Sequence, residues 1–177
     1  MTPQDVLSFW FVEHGPGDWF KKDPAFDTLI RDRFGATLAA GLAGELHRWR
    51  ETADGRLAEI IVLDQFSRNI HRDTPASFAA DPLALCLAQW AVASGADQEI
   101  DARQRPFVYM PFMHSESAAI HNVALELFAP FPQNHEYERK HQAIIVRFGR
   151  YPHRNKILGR ASTAEELAFL QRPGSSF

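Results

Sequence analysis

The sequence predicts an all-α protein, and two features of the chain support that fold class. Apolar residues recur at spacings of three and four through most of the 177 residues, whereas the strict alternation typical of a half-buried strand is nearly absent. Pairs in which Thr or Asp precedes proline, a signal for the start of a helix, also recur. At this length we expect one domain over residues 1–177, built from about seven or eight short helices.

Helices in the first half of the chain are predicted from capping signals and apolar spacing. They cover QDVLSFWFVE, AFDTLIRDRFGATLAAGL, the run that follows Asp54-Gly55, and LALCLAQWAVAS. Thr2 and Asp23 stand at cap positions, and Gly95 stands where a helix commonly ends.

Three further helices are predicted toward the C-terminus: from about Ser115 to Phe128, from about Asn134 to Phe148, and from Ser162. Ser162 and Glu165 have the spacing of a capping box. Pro111 argues against a helix through YMPFM, because proline removes a backbone donor. We therefore expect His114 at the entry to the helix that follows.

Composition excludes several classes of partner. A net charge of −3 and a pI near 6.2 give no reason to expect nucleic acid or an acidic membrane surface. The single cysteine, Cys86, lies in an apolar run, so we expect a small buried side chain, no internal disulfide and a reducing compartment. With no signal peptide pattern and no long apolar run, the sequence favours a cytoplasmic protein that has no membrane span.

The segment IIVLDQFSRNIHR, from Ile60 to Arg72, places charged residues on a helix that is apolar on both sides. Its apolar positions are Leu57, Ile60, Ile61, Leu63, Phe66 and Ile70. Such a helix is normally buried, so Asp64, Arg68 and His71 should occupy an interhelical space and need partners. Asp64 and Arg68 have the i,i+4 spacing of an internal salt bridge. One interpretation is therefore purely structural.

The other interpretation is an anion site shared with two later motifs. IIVRFGRYPHRN carries a second basic set, and RPFVYMPFMHSESAAIHN carries His114 and Glu116. Arginine forks bind carboxylate or phosphate, and histidine adds a donor. The complete predicted ligand-binding set is Asp64, Arg68, His71, Arg72, His114, Glu116, Arg147, Arg150, His153, Arg154 and Asn155. We expect these motifs to converge on one cleft.

Reaction chemistry is less well indicated. HEYERKH lacks the H-E-x-x-H spacing, and no phosphate loop, dinucleotide fingerprint or nucleophile elbow is present, so we predict no metal and no cofactor. The first functional hypothesis is a helical protein that binds a small anionic ligand or an acidic peptide segment. The alternatives are a hydrolase, with His114 or His153 as base and Glu116 or Asp64 orienting it, and a structural or protein-interaction module. Catalytic residues and oligomeric state are not assigned by the sequence.

Several longer motifs resemble a bacterial family of unknown function, DUF924. They are FWF, LDQFSRNIHRDTP, SFAADPLA, RPFVYMPFMHSE and RFGRYPHRNKILGRASTAEELAFL, and they extend from about Ser8 to about Leu170. The resemblance implies a tetratricopeptide-like α-α superhelix, although the chain shows no regular 34-residue period. Ser67 stands where the family pattern has proline. The resemblance implies a fold and no mechanism.

Overall fold

The computed structural model describes residues 1–175, and all regular secondary structure in that part of the chain is helical, with no strand. Its nine helices, α1 to α9, are α1 (Pro3–Ser8, continued by the π-helical Phe9–Glu13), α2 (Pro16–Trp19), α3 (Pro24–Leu42), α4 (Ala53–Ile61, continued by the π-helical Val62–Phe66 and by Ser67–Ile70), α5 (Asp81–Ala93), α6 (Pro106–Met113), α7 (Ala118–Phe128), α8 (Pro132–Phe148) and α9 (Ala164–Leu170). The all-α prediction is confirmed. The short α2 and α6 are the helices that the sequence did not predict.

Residues group into two compact units, which are described separately. Unit 1 comprises Met1–Arg72 and Ala76–Pro111, and unit 2 comprises Asp73–Pro75 and the described chain from Phe112 onward. The core of unit 1 is aromatic: Phe66 lies 4.8 Å from Phe34 and 5.5 Å from Trp10, measured between ring centroids. In unit 2, the buried residues Ile144, Ile145 and Tyr151 pack with Phe148 and Phe169. A single domain over residues 1–177 stays a prediction.

The capping residues predicted from the sequence are found at the helix ends, except at α9, where the cap is one residue later than predicted. Thr2 and Asp23 accept hydrogen bonds from backbone N–H groups of α1 and α3, as predicted. Gly95, with φ of 75°, follows α5 at the position where the left-handed conformation favours glycine. At α9 the cap is Thr163, paired with Glu166 in a capping box, so the prediction of Ser162 with Glu165 was wrong by one residue.

Burial of α4 is confirmed on both sides. Leu57, Ile60, Ile61, Leu63 and Phe66 are all fully buried, and Ile70 is 8% exposed. Asp64 is 1% exposed, so its carboxylate does lie among packed helices. The π-helical turn at Val62–Phe66 contains Asp64 and shifts the side chains that follow it around the helix axis.

Two local predictions were wrong, both for reasons of packing. Pro111 lies inside α6, where its ring costs a backbone hydrogen bond. The cost is about 3 kcal/mol, but α6 buries Val108, Phe112 and other apolar side chains, each contributing about 1.5–3 kcal/mol. Cys86 is exposed and not buried, because α5 packs inward through small alanines on another face.

Candidate functional site

Arg68 of α4 is bound by two carboxylates of unit 1. Its Nη1 lies 3.1 Å from Asp64 Oδ1 and 2.9 Å from Asp81 Oδ1. The guanidinium also donates to the backbone carbonyl of Asp64 at 2.7 Å. The internal Asp64–Arg68 pair predicted from the sequence is therefore confirmed, and Asp81 at the start of α5 completes it. This geometry ties α4 to α5.

Arg72 makes a second internal ion pair, with Asp27 of α3. The guanidinium donates to both carboxylate oxygens, at 2.5 and 2.7 Å, and Asn69 donates to the same carboxylate at 2.8 Å. Asp27 is buried, which raises the pKa of its carboxyl, but the hydrogen bonds from Arg72 and Asn69 outweigh burial and lower it. Asp27 thus stays ionised and holds α3 against the end of α4.

His71 lies at a groove between α3 and the end of α4, which we call the α3–α4 groove. It has a volume of about 320 Å³ and is lined by Arg31, Gly35, Leu38, Ala39, Leu42, Ile70 and His71. Arg31 donates to the carbonyl of Ile70 at 3.0 Å. The charge of Arg31 also helps to lower the pKa of the Asp27 carboxyl, to a smaller extent than the hydrogen bonds from Arg72 and Asn69 do. The groove therefore combines apolar walls with an arginine and a histidine.

In unit 2, Glu116 binds Arg160 and the backbone of Tyr151. Arg160 donates to both carboxylate oxygens, at 2.6 and 2.9 Å, and the Tyr151 amide donates at 2.7 Å. Partial burial raises the pKa of Glu116, but the hydrogen bonds from Arg160 and Tyr151 outweigh it and lower the pKa. Glu116 thus serves as an ion-pair partner for Arg160, a residue that the sequence interpretation did not include.

Arg147 and Arg150 pair with consecutive glutamates at the start of α9. Arg150 donates to Glu166 at 2.6 and 2.8 Å, and Glu166 is 2% exposed. Arg147 donates to Glu165 at 2.7 Å in an exposed pair. Both arginines belong to the predicted anion site, and both are neutralised within unit 2 by glutamates.

His153, Arg154 and Asn155 follow α8 around the buried ring of Tyr151. Arg154 stacks over that ring at 4.7 Å and donates to the carbonyl of His114 at 3.0 Å. The His153 ring lies 5.5 Å from the Tyr151 ring, measured between centroids. Asn155 is fully buried, donates to Ser162 and accepts from Arg160. Unit 2 therefore brings His114, His153 and Arg154 close to one tyrosine.

Sequence reasoning missed a buried histidine–glutamate pair next to this tyrosine. His121 and Glu138 are both fully buried, with Nδ1 2.5 Å from the carboxylate and Nε2 2.8 Å from the carbonyl of Ser115. Because a carbonyl only accepts, Nε2 carries a proton, and one further proton is shared between Nδ1 and the carboxyl. Burial raises the pKa of Glu138 despite the hydrogen bond from His121.

His141 of α8 belongs to the same surroundings. His141 lies with its ring centroid 5.8 Å from that of Tyr151, and burial lowers its pKa to about 3, so it is neutral at physiological pH. Nearby positive charge at His114, His121 and His153 lowers that pKa further. The signal in the sequence is position. Glu138, His141 and Ile145 are separated by three and four residues, so they share one face of α8, and polar residues on a buried face need partners.

A depression on the surface of unit 2 has a different character. It measures about 650 Å³ and is lined by Ala129, Pro132, His135, Glu136, Arg139, Lys140 and Ala143. Most of these side chains are exposed on one face of α8, and Lys140 pairs with Glu136 at 3.1 Å. It is an open surface that contains no predicted residue.

The predicted residues are thus distributed over both units. Asp64, Arg68, His71 and Arg72 belong to unit 1, and the seven others to unit 2. Carboxylates of their own unit hold four of the predicted arginines, Arg68, Arg72, Arg147 and Arg150, and also the unpredicted Arg160. No group of three potential metal ligands occurs in the described chain. Convergence of the three motifs on one cleft stays a prediction.

Comparison with known proteins places the chain in a family. The family model described as "Bacterial protein of unknown function (DUF924)" matches residues 6–174. The chain belongs to the DUF924 family. A solved structure, described as the protein of unknown function ATU0120 from Agrobacterium tumefaciens, is 40% identical in sequence. It superposes with a TM-score of 0.92, and the match covers 96% of each chain.

The DUF924 comparison fixes the fold and leaves the activity open. No curated protein matches the chain. The DUF924 description and the Agrobacterium structure both state an unknown function, so neither supplies a substrate or a residue role. The tetratricopeptide-like arrangement that the resemblance implies stays a prediction. Function must therefore be argued from the geometry of this chain.

Proposed function

We propose that this protein binds a small amphiphilic anion, such as an aliphatic carboxylate, in the α3–α4 groove. The observation that carries the proposal is the lining, in which Arg31 and His71 accompany the apolar side chains of Leu38, Leu42 and Ile70. Small-molecule sites are concave and mostly apolar, with a few polar groups that fix orientation. The groove of about 320 Å³ lies at the small end of such sites, so it suits a small molecule better than a peptide segment.

Charge supports an anion as the occupant. Arg31 presents a planar fork that matches a carboxylate, and its described hydrogen bond uses only Nη2, toward the carbonyl of Ile70. A histidine such as His71 can add a hydrogen-bond donor. Gly35 leaves open space in the groove, because a Cβ built there meets no atom within 4 Å. An alkyl tail along Leu38 and Leu42 would be removed from water, while the carboxylate faces Arg31.

The paired arginines of the predicted set suit an anion less well. A ligand at Arg72 would have to displace Asp27, and a ligand at Arg150 would have to displace Glu166, from hydrogen bonds of 2.8 Å or less. Displacement would leave a buried carboxylate without its cation, which costs several kcal/mol. The hydrolase alternative has less support for a similar reason, since Arg160 already holds Glu116 in its ionised form.

Titration with octanoate tests the proposal directly. Isothermal calorimetry should show octanoate binding more tightly than acetate, which lacks the tail, and than octanol, which lacks the charge. Replacing Arg31 with methionine removes the charge and keeps the apolar stem. Because a hydrogen bond to a charged group contributes about 1.5–3 kcal/mol, Arg31→Met should weaken octanoate binding by about 10- to 100-fold.

Two further variants make this titration specific to the groove. Arg48→Met removes another exposed arginine of unit 1 that does not line the groove, and it should bind octanoate as the parent does. Gly35→Leu should abolish binding by filling the groove, with the helix content unchanged. If octanoate binds the Arg31→Met variant as tightly as the parent, or does not bind at all, the proposed site is wrong.

The setting that we propose for this activity is the cytoplasm. The lone cysteine supports a reducing compartment, since the chain has no second cysteine with which to form an internal disulfide. The acidic net charge of −3 gives no attraction to nucleic acid. The partner proposed here is therefore a small soluble molecule.

A further inference from the structure

The buried histidines of the described chain all belong to unit 2. Of the eight histidines in the sequence, only His121 on α7 and His141 on α8 are buried, at 0% and 6% exposure. The histidines of unit 1 are partly or fully exposed: His14, His47 and His71. Protonation of a buried histidine can therefore affect the interior of unit 2 without a counterpart in unit 1.

The ring of His141 is placed to be neutral. Its Nδ1 lies 2.8 Å from the backbone carbonyl of Tyr137, and because a carbonyl only accepts, Nδ1 carries the proton of the neutral ring. A second proton would have to bind Nε2, on a side chain that is almost completely removed from water. A buried charge is costly unless it is paired, so the closed structure disfavours that proton.

The ionisable side chains around His141 and the Tyr151 ring are mostly basic. They come from α7, from α8 itself and from the segments on either side of this helix pair: His114, Glu116, His121, His135, Glu138, Tyr151, His153 and Arg154. The two acids are already engaged, since Glu138 shares a proton with His121 and Glu116 binds Arg160. A proton on His141 would therefore add positive charge to surroundings that are already basic.

We propose that His141 makes unit 2 a pH-sensitive switch, in which protonation of this ring in mild acid opens the contact between α7 and α8 while unit 1 stays folded. Opening brings the ring into water, where the imidazolium is solvated. The partly exposed His114 and His153 also become charged in mild acid, and their repulsion of His141 acts in the same direction.

The direction of the pH dependence follows from the state of His141 in the two forms. Burial lowers its pKa to about 3 in the closed form, against the opposing effect of the hydrogen bond to Tyr137. In the open form the pKa of a histidine is about 6.5. The contribution of neutral His141 is thus fully present above about pH 6.5 and is lost as pH falls toward about 3. The equilibrium constant for opening should rise about tenfold for each pH unit within this window.

Hydrogen exchange followed by mass spectrometry measures the opening of each helix separately. After correction for the intrinsic exchange rates, the opening constants of α7 and α8 should rise about 50-fold between pH 6.5 and pH 4.5. Those of α3 and α4 should change less than about threefold, because the ion pairs of unit 1 depend on carboxylates, which protonate in an unfolded chain only near pH 4. All four tryptophans lie in unit 1, so tryptophan fluorescence should also stay constant.

Two histidine variants of α8 assign the effect to one ring. His141→Phe keeps an aromatic ring beside Tyr151 but cannot take up a proton, so the opening of α7 and α8 should lose most of its pH dependence. His135→Gln removes a partly exposed histidine of the same helix and should behave as the parent does. Dependence that persists in His141→Phe, or that appears equally in unit 1, overturns the proposal.

Nitrogen NMR of the parent gives a readout that needs no variant. In the closed protein the ring of His141 should remain neutral, with the proton on Nδ1, from pH 7 to pH 4.5, while the exposed His47 becomes charged in that range. A His141 ring that becomes charged near pH 6 without any change in the hydrogen exchange of α7 and α8 overturns the proposal, because the closed form would then accommodate the charge.

Discussion

Glu166 at the start of α9 offers the sharpest test of how unit 2 is held together. Its carboxylate accepts two hydrogen bonds from Arg150, at 2.6 and 2.8 Å, and one from the backbone N–H of Thr163 at 2.7 Å. Replacing Glu166 with glutamine keeps the shape of the side chain and removes its negative charge. It also places an amide NH₂ group, which donates, beside the N–H donors of Arg150 and Thr163. Since a hydrogen bond to a charged group contributes about 1.5–3 kcal/mol, we expect Glu166→Gln to lower the free energy of unfolding by about 2–4 kcal/mol at pH 7.

The effect of Glu166→Gln should depend on pH with a definite sign. Hydrogen bonds from Arg150, opposed by burial and assisted by Thr163, lower the pKa of Glu166 to about 2. In the unfolded chain the pKa of a glutamate is about 4.3, so its contribution is fully present above that pH and is lost as pH falls toward about 2. The difference between parent and variant should therefore shrink through this window.

Urea unfolding followed by circular dichroism at pH 7, 4 and 3 measures this difference. Glu165→Gln is the matched control, because Glu165 precedes Glu166 in the same turn and pairs with Arg147 through side chains that are 61% and 42% exposed. An exposed pair contributes little, so the control should change stability by less than about 1 kcal/mol. A Glu166→Gln effect that equals the control, or that stays constant from pH 7 to pH 3, would refute the reasoning.

Three further substitutions test packing in unit 1 by the same urea assay. Phe66→Ala should cost about 3–5 kcal/mol, because the ring is fully buried among Phe9, Trp10 and Phe34; a loss below 1 kcal/mol would contradict that packing. Gly35→Ala should stabilise the chain by about 0.5–1 kcal/mol, since it adds helix propensity in open space, and a loss of stability would contradict that open space. Gly55→Ala should destabilise strongly, because a Cβ there would lie 1.9 Å from the backbone oxygen of Trp49; near-parent stability would contradict that approach.

Predictions that rested on local spacing were the most successful part of the sequence interpretation. The burial of Leu57 through Ile70 on both sides of α4 follows from their positions on one helix, as does the Asp64–Arg68 pair. Cap positions at Thr2 and Asp23 are equally local. The error at α9 is of the same kind, because Ser162 and Thr163 are both good caps and spacing alone does not choose between them.

Partners that are distant in sequence were beyond this reasoning. Arg72 pairs with Asp27 across 45 residues, and Arg160 pairs with Glu116 across 44. Which carboxylate contacts which arginine depends on how the helices pack. Periodicity in the sequence indicates only the face of its own helix on which each residue lies. Pro111 shows the same limit, since burial of α6 outweighs a local rule that is sound for an exposed helix. The burial of Cys86 was wrongly predicted, because a helix that is apolar on nearly every side does not indicate which side packs inward.

The chain also shows why charges on an apolar face are an ambiguous sign of function. Arg68 and Arg150 produced that pattern, yet the structure satisfies each with carboxylates of its own unit. A network of internal ion pairs and a ligand site leave the same residue types on the same face, because both must neutralise a buried cation. What separates a ligand site from such a network is open space beside the cation. In the described chain Arg31 meets that condition, at a groove that His71 also lines, so substitution of Arg31 distinguishes binding from structure more cleanly than substitution of any arginine of the predicted set.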